Sequence, residues 1–540
     1  MTVEGDRAVV LAGRVATMDS QQTVLDDGVV YVRDTSIVDV RRSSDPVPEG
    51  FDAVPVVATG GTIFPGLIEL HNHLPYDVLG LWNVPRRYGN RDEWSGPSTP
   101  EYRRLITGPM QVLGADPDVV AAVVRFVETR CLLGGTTTSQ GVTLASDPEI
   151  VTHFRGLVRN VEARDVPGLP AAATHISDVA AMDANRFLAT ISGKQKVILH
   201  LAEGTDRAAH DHFAALEIEP GKWAITPNLI AIHCAALTED DFGVLSDHGG
   251  TMVWSPFSNL LLYGQTADIG AALRRNVTIA IGSDWAPSGS KNLLGELKVA
   301  RIVAADAGVA LSDADLVAMA TSIPARMVGW DSRLGSIEKG KLADLVVVAG
   351  TSTDAYSVLV DATEAAIQLV MIDGVARSGT PALMDALGPV SGVETITVAG
   401  EPRVLNLVQA SADPSVATVT VAEAQRRLVE ALADLPNHSV PVVPTALPAG
   451  QVRLAVAGLV DNNMSPRPHL PLNGRPTGPN MGSLGSGAPT PTVVPSPVSL
   501  PALTLDPIAA VDNPAFYDLI AQQVNLPGPI RDGLLAQRPR

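Results

Sequence analysis

Two features of the sequence predict an α/β fold whose core is a (β/α)8 TIM barrel. Between Phe64 and Asp284, short apolar runs rich in β-branched residues alternate with amphipathic stretches of helical length. Strict alternation of strand and helix favours right-handed βαβ units and a parallel sheet. Several runs also end in a polar side chain, as expected of a barrel that carries its site at the carboxyl ends of its strands. Because about eight repeats fit in this span, an eight-stranded barrel is the simplest closure.

The first strand of the alternation ends in the motif His71-Asn72-His73, after an apolar run that begins at Phe64. Alternate side chains of a strand point to the same face, so His71 and His73 would face one side together. Two imidazoles on one face can bind a metal ion as a pair. On spacing alone, however, two surface histidines are an equally good interpretation.

Later apolar runs end in further groups that could bind a metal or move a proton. They are His200 with Glu203 three residues later, then His233, and then Asp284. Each alone is more simply a hydrogen-bonded histidine or a helix-capping aspartate. Four such strand ends in a chain with only 11 histidines favour a single site.

The other elements of the alternation follow weaker patterns. Further strands are predicted at 134–139, 169–175 and 251–255, and least clearly near 153–161. Helices are predicted at 118–132, 206–216, 239–246 and 293–305.

Several of these motifs resemble those of one known family. The run from Pro65 to His73 resembles the first-strand motif of the amidohydrolase superfamily, metal-dependent hydrolases that include cytosine deaminase. His200-Leu201-Ala202-Glu203 is similar to the His-x-x-Glu of the branch that contains guanine deaminase, S-adenosylhomocysteine deaminase and atrazine chlorohydrolase type enzymes. The segments 256–259 and 335–348 agree with this branch, so the resemblance covers roughly residues 8–378, about two thirds of the chain.

The resemblance implies a centre with a single divalent metal ion, with zinc favoured over iron. Its ligands would be His71, His73, His200 and Asp284. The members of the superfamily with two metal ions bridge them with a carboxylated lysine from the fourth strand. No lysine lies near residues 169–175, so one ion is the better prediction.

The resemblance also implies the catalytic roles. A metal ion strongly lowers the pKa of its bound water, to about 7, which makes hydroxide available at neutral pH. Glu203 would carry protons between that water and the leaving group, and Asp284 would help to deprotonate the water. His233 would orient the water and stabilise developing charge.

The favoured function is therefore a hydrolase of carbon–nitrogen bonds other than peptide bonds. A deaminase or amidohydrolase of a small cyclic or N-acyl substrate fits best, and dehalogenation is less favoured. A non-catalytic barrel used for binding or assembly is the alternative from another class of protein.

Two residues are candidates for substrate contact. His175 ends the predicted fourth strand, although a structural hydrogen bond explains it equally well. Trp82 lies in the long connection 74–117, which concentrates aromatic and basic residues in a chain with 4% aromatics. Such a cluster could stack on a planar heterocycle, or it could serve loop packing or a subunit contact.

Three regions are expected along the chain. Residues 1–60 and 335–380 would form one composite β-sandwich, because both flanks contain strand patterns that meet in the family. Residues 61–334 would form the barrel. Residues 390–540 would be a C-terminal extension that is partly extended or disordered, since fifteen of the 41 prolines fall between Pro436 and Pro507. Within it, a strand is predicted at 403–410 and helices at 421–435 and 516–526.

Composition restricts the partners and the compartment. A net charge of −19 and a pI near 5.0 argue against nucleic acid or an anionic membrane and favour a small-molecule substrate. Two cysteines give no disulfide framework, and the first residues lack the features of a signal peptide, so a cytoplasmic location is predicted. Nothing in the pattern fixes the oligomer, and a homo-oligomer stays an open alternative.

Overall fold

The structure is a computed structural model that describes residues 7–95, 99–141, 157–162, 168–175, 178–388, 392–409, 414–440, 498–509, 511 and 513–538. The strands are β1 (Ala8–Ala16), β2 (Val24–Arg33), β3 (Ser36–Arg42), β4 (Val56–Pro65), β5 (Leu67–Glu69), β6 (Thr136–Ser139), β7 (Arg159–Asn160), β8 (Ala173–His175), β9 (Val197–Leu201), β10 (Glu217–Glu219), β11 (Lys222–Trp223), β12 (Leu229–His233), β13 (Thr251–Trp254), β14 (Ile279–Ile281), β15 (Leu345–Val348), β16 (Ile367–Ile372), β17 (Val375–Gly379), β18 (Glu394–Val398), β19 (Glu401–Leu405), β20 (Ser439–Val440) and β21 (Val498–Ser499).

The α-helices of the described residues are α1 (Arg91–Ser95), α2 (Pro100–Tyr102), α3 (Gly108–Gly114), α4 (Pro117–Leu133), α5 (Ala184–Ile191), α6 (Arg207–Ala214), α7 (Glu239–Asp247), α8 (Pro256–Tyr263), α9 (Ile269–Arg274), α10 (Leu293–Asp306), α11 (Asp313–Met319), α12 (Ser322–Met327), α13 (Ala355–Val360), α14 (Pro381–Ala386), α15 (Pro414–Ala417), α16 (Val421–Asp434), α17 (Pro514–Gln522) and α18 (Gly528–Leu535). Shorter 3-10 and π-helical turns lie at Leu74–Val78, Arg103–Thr107, Ala181–Asp183, Glu364–Ala366 and Leu435–Asn437.

One mixed sheet combines strands from both flanks of the chain. Its order is β18-β19-β17-β16-β15-β4-β1-β2-β3. The flanks meet where β15 pairs antiparallel with β4, so that Val346 lies opposite Phe64. This pairing explains why strand patterns occur both before and after the predicted barrel region, because neither flank alone forms the sheet. The sheet also takes in β18 and β19, which lie beyond the predicted limit at residue 380.

The predicted barrel region contains eight parallel strands in two sheets, β5-β6-β7 and β8-β9-β12-β13-β14. Backbone hydrogen bonds connect the two sheets to each other along both of their edges. The Ala172 amide donates to the Val161 carbonyl at 2.7 Å, beside β7 and β8. Beyond β5 and β14, the Asp284 amide donates to the His71 carbonyl at 3.0 Å and the His73 amide to the Asp284 carbonyl at 2.9 Å.

The four helices predicted between the strands are present as α4, α6, α7 and α10, with limits within two residues of those expected. Their first turns are capped by side chains, as the sequence chemistry requires. Asp206 caps α6, Thr238 forms a capping box with Asp241 at α7, and Asn292 caps α10.

Two predicted strands have less than half of their expected length. The fourth strand begins at Ala173, because Pro170 has no amide hydrogen to give to a ladder. The third strand is limited to Arg159–Asn160, and residues 153–156 of its predicted range lie outside the described residues.

The C-terminal part packs on the barrel region instead of standing apart from it. Helix α16 covers α4, where the Arg125 guanidinium donates to the carbonyls of Val416 and Val419 at 2.9 Å each. The predicted strand and both helices of this part correspond to β19, α16 and α17. The proline-rich segment 441–497 lies outside the described residues. Among the helices described, none is both long and apolar enough to span a membrane.

Candidate metal centre

The four predicted ligands and the predicted catalytic residue His233 lie at the carboxyl ends of parallel strands. His71 and His73 follow β5, His200 lies in β9, His233 ends β12 and Asp284 follows β14. His233 and Asp284 have φ angles of 67° and 66°, in the left-handed region that is costly for residues other than glycine. Such strain is found where the surrounding structure holds a residue in place, often at functional sites.

Four of these side chains converge on one point. The Nε2 atom of His200 lies 3.2 Å from Nε2 of His71 and 3.3 Å from Nε2 of His73. Oδ1 of Asp284 lies 3.3 Å from Nε2 of His71 and 3.6 Å from Nε2 of His73. His71, His200 and Asp284 are buried, and the His73 side chain is 12% exposed.

These separations fit a tetrahedral metal ion. Zinc binds histidine nitrogen at about 2.0–2.1 Å, and the ligand atoms of a tetrahedron with such bonds lie about 3.3 Å apart. The Nδ1 atom of His71 is 2.7 Å from the Ser255 hydroxyl, which leaves Nε2 to face the shared point. The spacing therefore matches what a single ion requires.

Burial keeps these imidazoles in the form that binds metal. It lowers the pKa of His71 well below its ordinary value, and the neighbouring His233, His200 and His73 lower it further. Burial, followed by the charge of Arg91, lowers the pKa of His73 to about 4. Neutral imidazole has a free lone pair at neutral pH, so no proton has to leave before a cation binds.

A buried network holds the residues beside His71. Oε1 of Glu69 accepts hydrogen bonds from the Ser283 amide, at 2.9 Å, and from the Ser283 hydroxyl. The Asn72 side chain donates to the same hydroxyl at 3.1 Å, and the Asn72 amide donates to Gln140 Oε1 at 3.0 Å. Glu69 and Asn72 therefore fix the backbone around the predicted ligands.

Glu203 lies beside the convergent ligands with both carboxylate oxygens engaged. Oε1 accepts a hydrogen bond of 2.8 Å from the Tyr263 hydroxyl. Oε2 lies 3.5 Å from Nη1 of Arg91 and 3.6 Å from Nε2 of His233. Burial raises the pKa of Glu203 to about 7, although Arg91 and Tyr263 oppose this effect. A carboxyl group with a pKa near neutrality can both accept and donate a proton.

His233 is oriented by Asn259, whose Nδ2 lies 3.0 Å from Nδ1 of His233. Because an amide nitrogen only donates, Nδ1 is the acceptor and the imidazole proton is on Nε2. That proton faces the shared space near Glu203. Burial lowers the pKa of His233 well below its ordinary value, so the ring is neutral.

Of the two predicted substrate contacts, the structure describes the side chain of Trp82 and only the backbone of His175. Trp82 is buried in an aromatic cluster, with its ring centroid 6.2 Å from those of Tyr88 and Tyr102. Trp285 also borders this cluster, and its ring centroid is 5.8 Å from that of His73. The backbone of His175 belongs to β8, whereas its side chain lies outside the described residues.

Three polar residues near Glu203 were not singled out from the sequence: Tyr263, Arg91 and Asp178. Tyr263 lies four residues after Asn259, and this spacing places both on one face of α8. Helical spacing from the recognised segment 256–259 could therefore have identified Tyr263. Arg91 follows an irregular loop and Asp178 lies outside any strand, so no periodicity marks either of them.

Part of the chain matches a known protein family, and more than half of it is similar to named deaminases. Residues 170–377 match the amidohydrolase family. The 5-methylthioadenosine/S-adenosylhomocysteine deaminase of Symbiobacterium thermophilum is 25% identical over 382 residues, which cover 64% of this chain and 85% of that protein. The 5'-deoxyadenosine deaminase of Methanothermobacter thermautotrophicus is 24% identical over 355 residues, 59% of this chain and 80% of that protein.

Among solved structures, an adenosine deaminase from Xanthomonas campestris with bound zinc has the same fold, with a TM-score of 0.54 and 23% identity. The superposition covers 68% of this chain and 92% of that one. The chain therefore carries an amidohydrolase family domain and is a hydrolase that acts on carbon–nitrogen bonds.

Proposed function

We propose that the protein is a deaminase of amino-substituted planar heterocycles that uses one divalent metal ion, zinc in preference to iron. The ligands would be His71, His73, His200 and Asp284. The observation that carries this proposal is the convergence of their ligand atoms at tetrahedral spacing, with the carboxyl group of Glu203 beside them.

A divalent ion held by these four residues would supply Lewis acidity and lower the pKa of a bound water to about 7. Glu203 then accepts a proton from the attacking water and donates it to the leaving nitrogen. Its buried position supports both steps, because burial raises the pKa of Glu203 to about 7. Asp284, whose Oδ1 lies 3.3 Å from Nε2 of His71, would act as a ligand and also help to remove the proton from water.

His233 and Arg91 surround the carboxyl group of Glu203 and restrict its rotation. The Nε2 proton of His233 can donate to an oxygen or nitrogen atom that gains negative charge during attack. Such a donor is effective in a buried site, because few water molecules compete for it.

The class of substrate is supported by the aromatic side chains near His73. Trp285 lies 5.1 Å from Tyr76 and 6.0 Å from Trp94, measured between ring centroids. Flat faces of this kind favour a planar ring by stacking. Since two relatives are named for deamination of adenosine derivatives, 6-aminopurine nucleosides are the first compounds to test. Trp82 and His175 remain candidates for contact with the substrate.

The architecture of the proposed enzyme follows the predicted regions. The eight parallel strands of residues 61–334 would close into one (β/α)8 barrel, and the hydrogen bonds at Val161 and Asp284 support this closure. Residues 1–60 and 335–380 would form the composite β-rich domain, and residues 390–540 the C-terminal extension. The protein would act on its small-molecule substrate in the cytoplasm.

Metal content and ammonia release together test this function. We expect the purified protein to bind about one equivalent of zinc and to release ammonia from a 6-aminopurine nucleoside. The screen should include N-acyl amides and a chlorinated triazine as competing classes. Substitution of His71 and His200 by alanine should abolish both metal binding and ammonia release. Full zinc binding by the double variant would contradict the ligand assignment.

A further inference from the structure

The C-terminal clasp, defined as the described residues between 498 and 538, lies against the barrel region. Its helix α17 packs near α8, with the ring centroids of Phe516 and Phe257 6.4 Å apart. Its helix α18 packs on α10. The clasp also contacts the loop that follows the His71-Asn72-His73 motif, at two separate points.

The first contact is a buried ionic cluster around Asp506. Oδ2 of Asp506 accepts from Nη1 of Arg130 at 2.7 Å, and Oδ1 accepts from Nζ of Lys291 at 3.0 Å. Both cations are only 2% exposed. The Asp506 amide donates to the Val78 carbonyl at 3.0 Å. Two buried cations require an opposite charge, so Asp506 fixes the position of the clasp beside the start of the loop.

The second contact is Asn525, which holds the middle of the loop from two sides. Its side-chain amide donates to the Val84 carbonyl at 3.2 Å. Its own carbonyl accepts from Nε and Nη2 of Arg87, at 3.2 and 3.0 Å. Asn525 is 5% exposed, and its neighbour Val524 is 74% exposed. The basic side chain of Arg87 is therefore used to bind the clasp.

Beyond Arg87, the same loop is hydrogen-bonded to the backbone at Glu203 and Thr205. The Gly89 carbonyl accepts from the Thr205 amide at 2.7 Å, and the Arg91 amide donates to the Glu203 carbonyl at 3.1 Å. The Arg91 side chain lies between two carboxylates, with Nη2 2.7 Å from Asp178 and Nη1 3.5 Å from Glu203. The loop thus brings one charged group to the proposed proton carrier.

We propose that Asn525 is a positioning residue for the reaction: it holds residues 84–87 and thereby sets the position of Arg91 against Glu203. This inference rests on the proposed function of Glu203. It gives the C-terminal clasp a defined role. Asn525 lies more than 300 residues after both Arg91 and Glu203 in the sequence, yet it controls how the Arg91 side chain is placed.

Hydrogen exchange of the full-length, zinc-loaded protein tests this role without any substrate. We expect Asn525→Ala to speed exchange in peptides covering residues 79–91 by about fivefold, the factor expected from the loss of one neutral hydrogen bond. Asn525→Asp keeps the size of the side chain but has no amide donor, so it should give the same increase. Val524→Ala is the matched control and should leave exchange of the loop unchanged.

Kinetics then separate positioning from general stability. With the substrate found in the ammonia screen, Asn525→Ala should lower kcat about fivefold, with a smaller change in KM and unchanged zinc content. Unchanged exchange of residues 79–91 in both Asn525 variants would overturn the inference, even if the enzyme is active. If no substrate is found, the proposed function fails, whereas exchange still decides whether Asn525 holds residues 84–87.

A second variant covers the case in which Asn525→Ala does not fold. Arg87→Met removes the two donors to the Asn525 carbonyl and leaves the clasp sequence intact. It should speed exchange of residues 79–91 as the Asn525 variants do. Wild-type exchange of this loop in Arg87→Met would also overturn the inference.

Discussion

The hydroxyl of Tyr263 donates a 2.8 Å hydrogen bond to Oε1 of Glu203. This bond fixes the carboxyl group so that Oε2 faces His233 and Arg91. Because the bond favours the charged carboxylate, it lowers the pKa of Glu203 against the larger, opposite effect of burial. The two residues belong to different strand-and-loop units, and the folded chain brings them together.

Removal of this bond should change the pH dependence of activity. Glu203 must be ionised to accept a proton, so kcat/KM should rise with pH through its pKa. In Tyr263→Phe that pKa is higher, and the acidic limb should shift upward by about 0.5–1 pH unit. A pH profile of kcat/KM measures the shift. Tyr356→Phe, which removes a hydroxyl that bonds to Gln22 far from the site, is the control and should keep the wild-type profile.

Neutralisation of the proton carrier should separate metal binding from turnover. Glu203→Gln keeps the shape of the side chain but accepts no proton. We expect kcat to fall by about 100-fold or more, with zinc content unchanged. Zinc analysis and ammonia release measure the two effects. The exposed Glu217→Gln variant should match the wild type, and retained activity in Glu203→Gln would contradict the role assigned to this residue.

The hydrogen bond between Ser255 and His71 should tune metal affinity. Its loss in Ser255→Ala frees the imidazole to rotate away from the shared point. We expect zinc affinity to fall about 10–100-fold, as measured by competition with a chelator. Ser20→Ala, at an exposed position, serves as the comparison. Equal affinities of Ser255→Ala and wild type would show that the ring is held by packing alone.

Glu296 should make folding stability depend on pH. It is fully buried and accepts a 3.0 Å hydrogen bond from the Phe257 amide, and burial raises its pKa from 4.5 to about 8. The folded state therefore holds this proton more tightly than the unfolded state. Its contribution to stability is present below pH 4.5 and is lost as the pH rises through 8.

The Glu296→Gln variant stays neutral and should not lose this contribution. Its free energy of unfolding relative to wild type should therefore increase from pH 5 to pH 9, by about 1.4 kcal/mol for each pH unit that separates the folded and unfolded pKa values. Urea unfolding at several pH values measures the difference. A constant difference between the two proteins would mean that Glu296 does not titrate in this range.

Local patterns in the sequence identified several helices and strands and the candidate ligands. The alternation of apolar runs and amphipathic stretches identified α4, α6, α7 and α10, because burial on one face imposes a fixed period. The strand ends identified His71, His200 and Asp284 as candidates for one site. They meet because parallel strands bring their carboxyl ends to the same side of the sheet.

The surroundings of the site could not be derived in this way. Arg91 reaches Glu203 from a long loop whose path depends on Asn525 in the clasp. The aromatic loop containing Trp82 could equally have been open to substrate or packed inside, and only the structure places Trp82 in a buried cluster. Such contacts join distant segments without any repeating pattern.

The sequence by itself determined the α/β alternation of this protein and the residues able to hold a metal, because both depend on local periodicity and side-chain chemistry. Only the tertiary structure decided how far apart the ligand atoms lie, which groups surround Glu203 and where the C-terminal clasp binds. The physical reason is that these distances result from contacts between remote segments, such as the pairing of β4 with β15 and of Asp506 with Arg130.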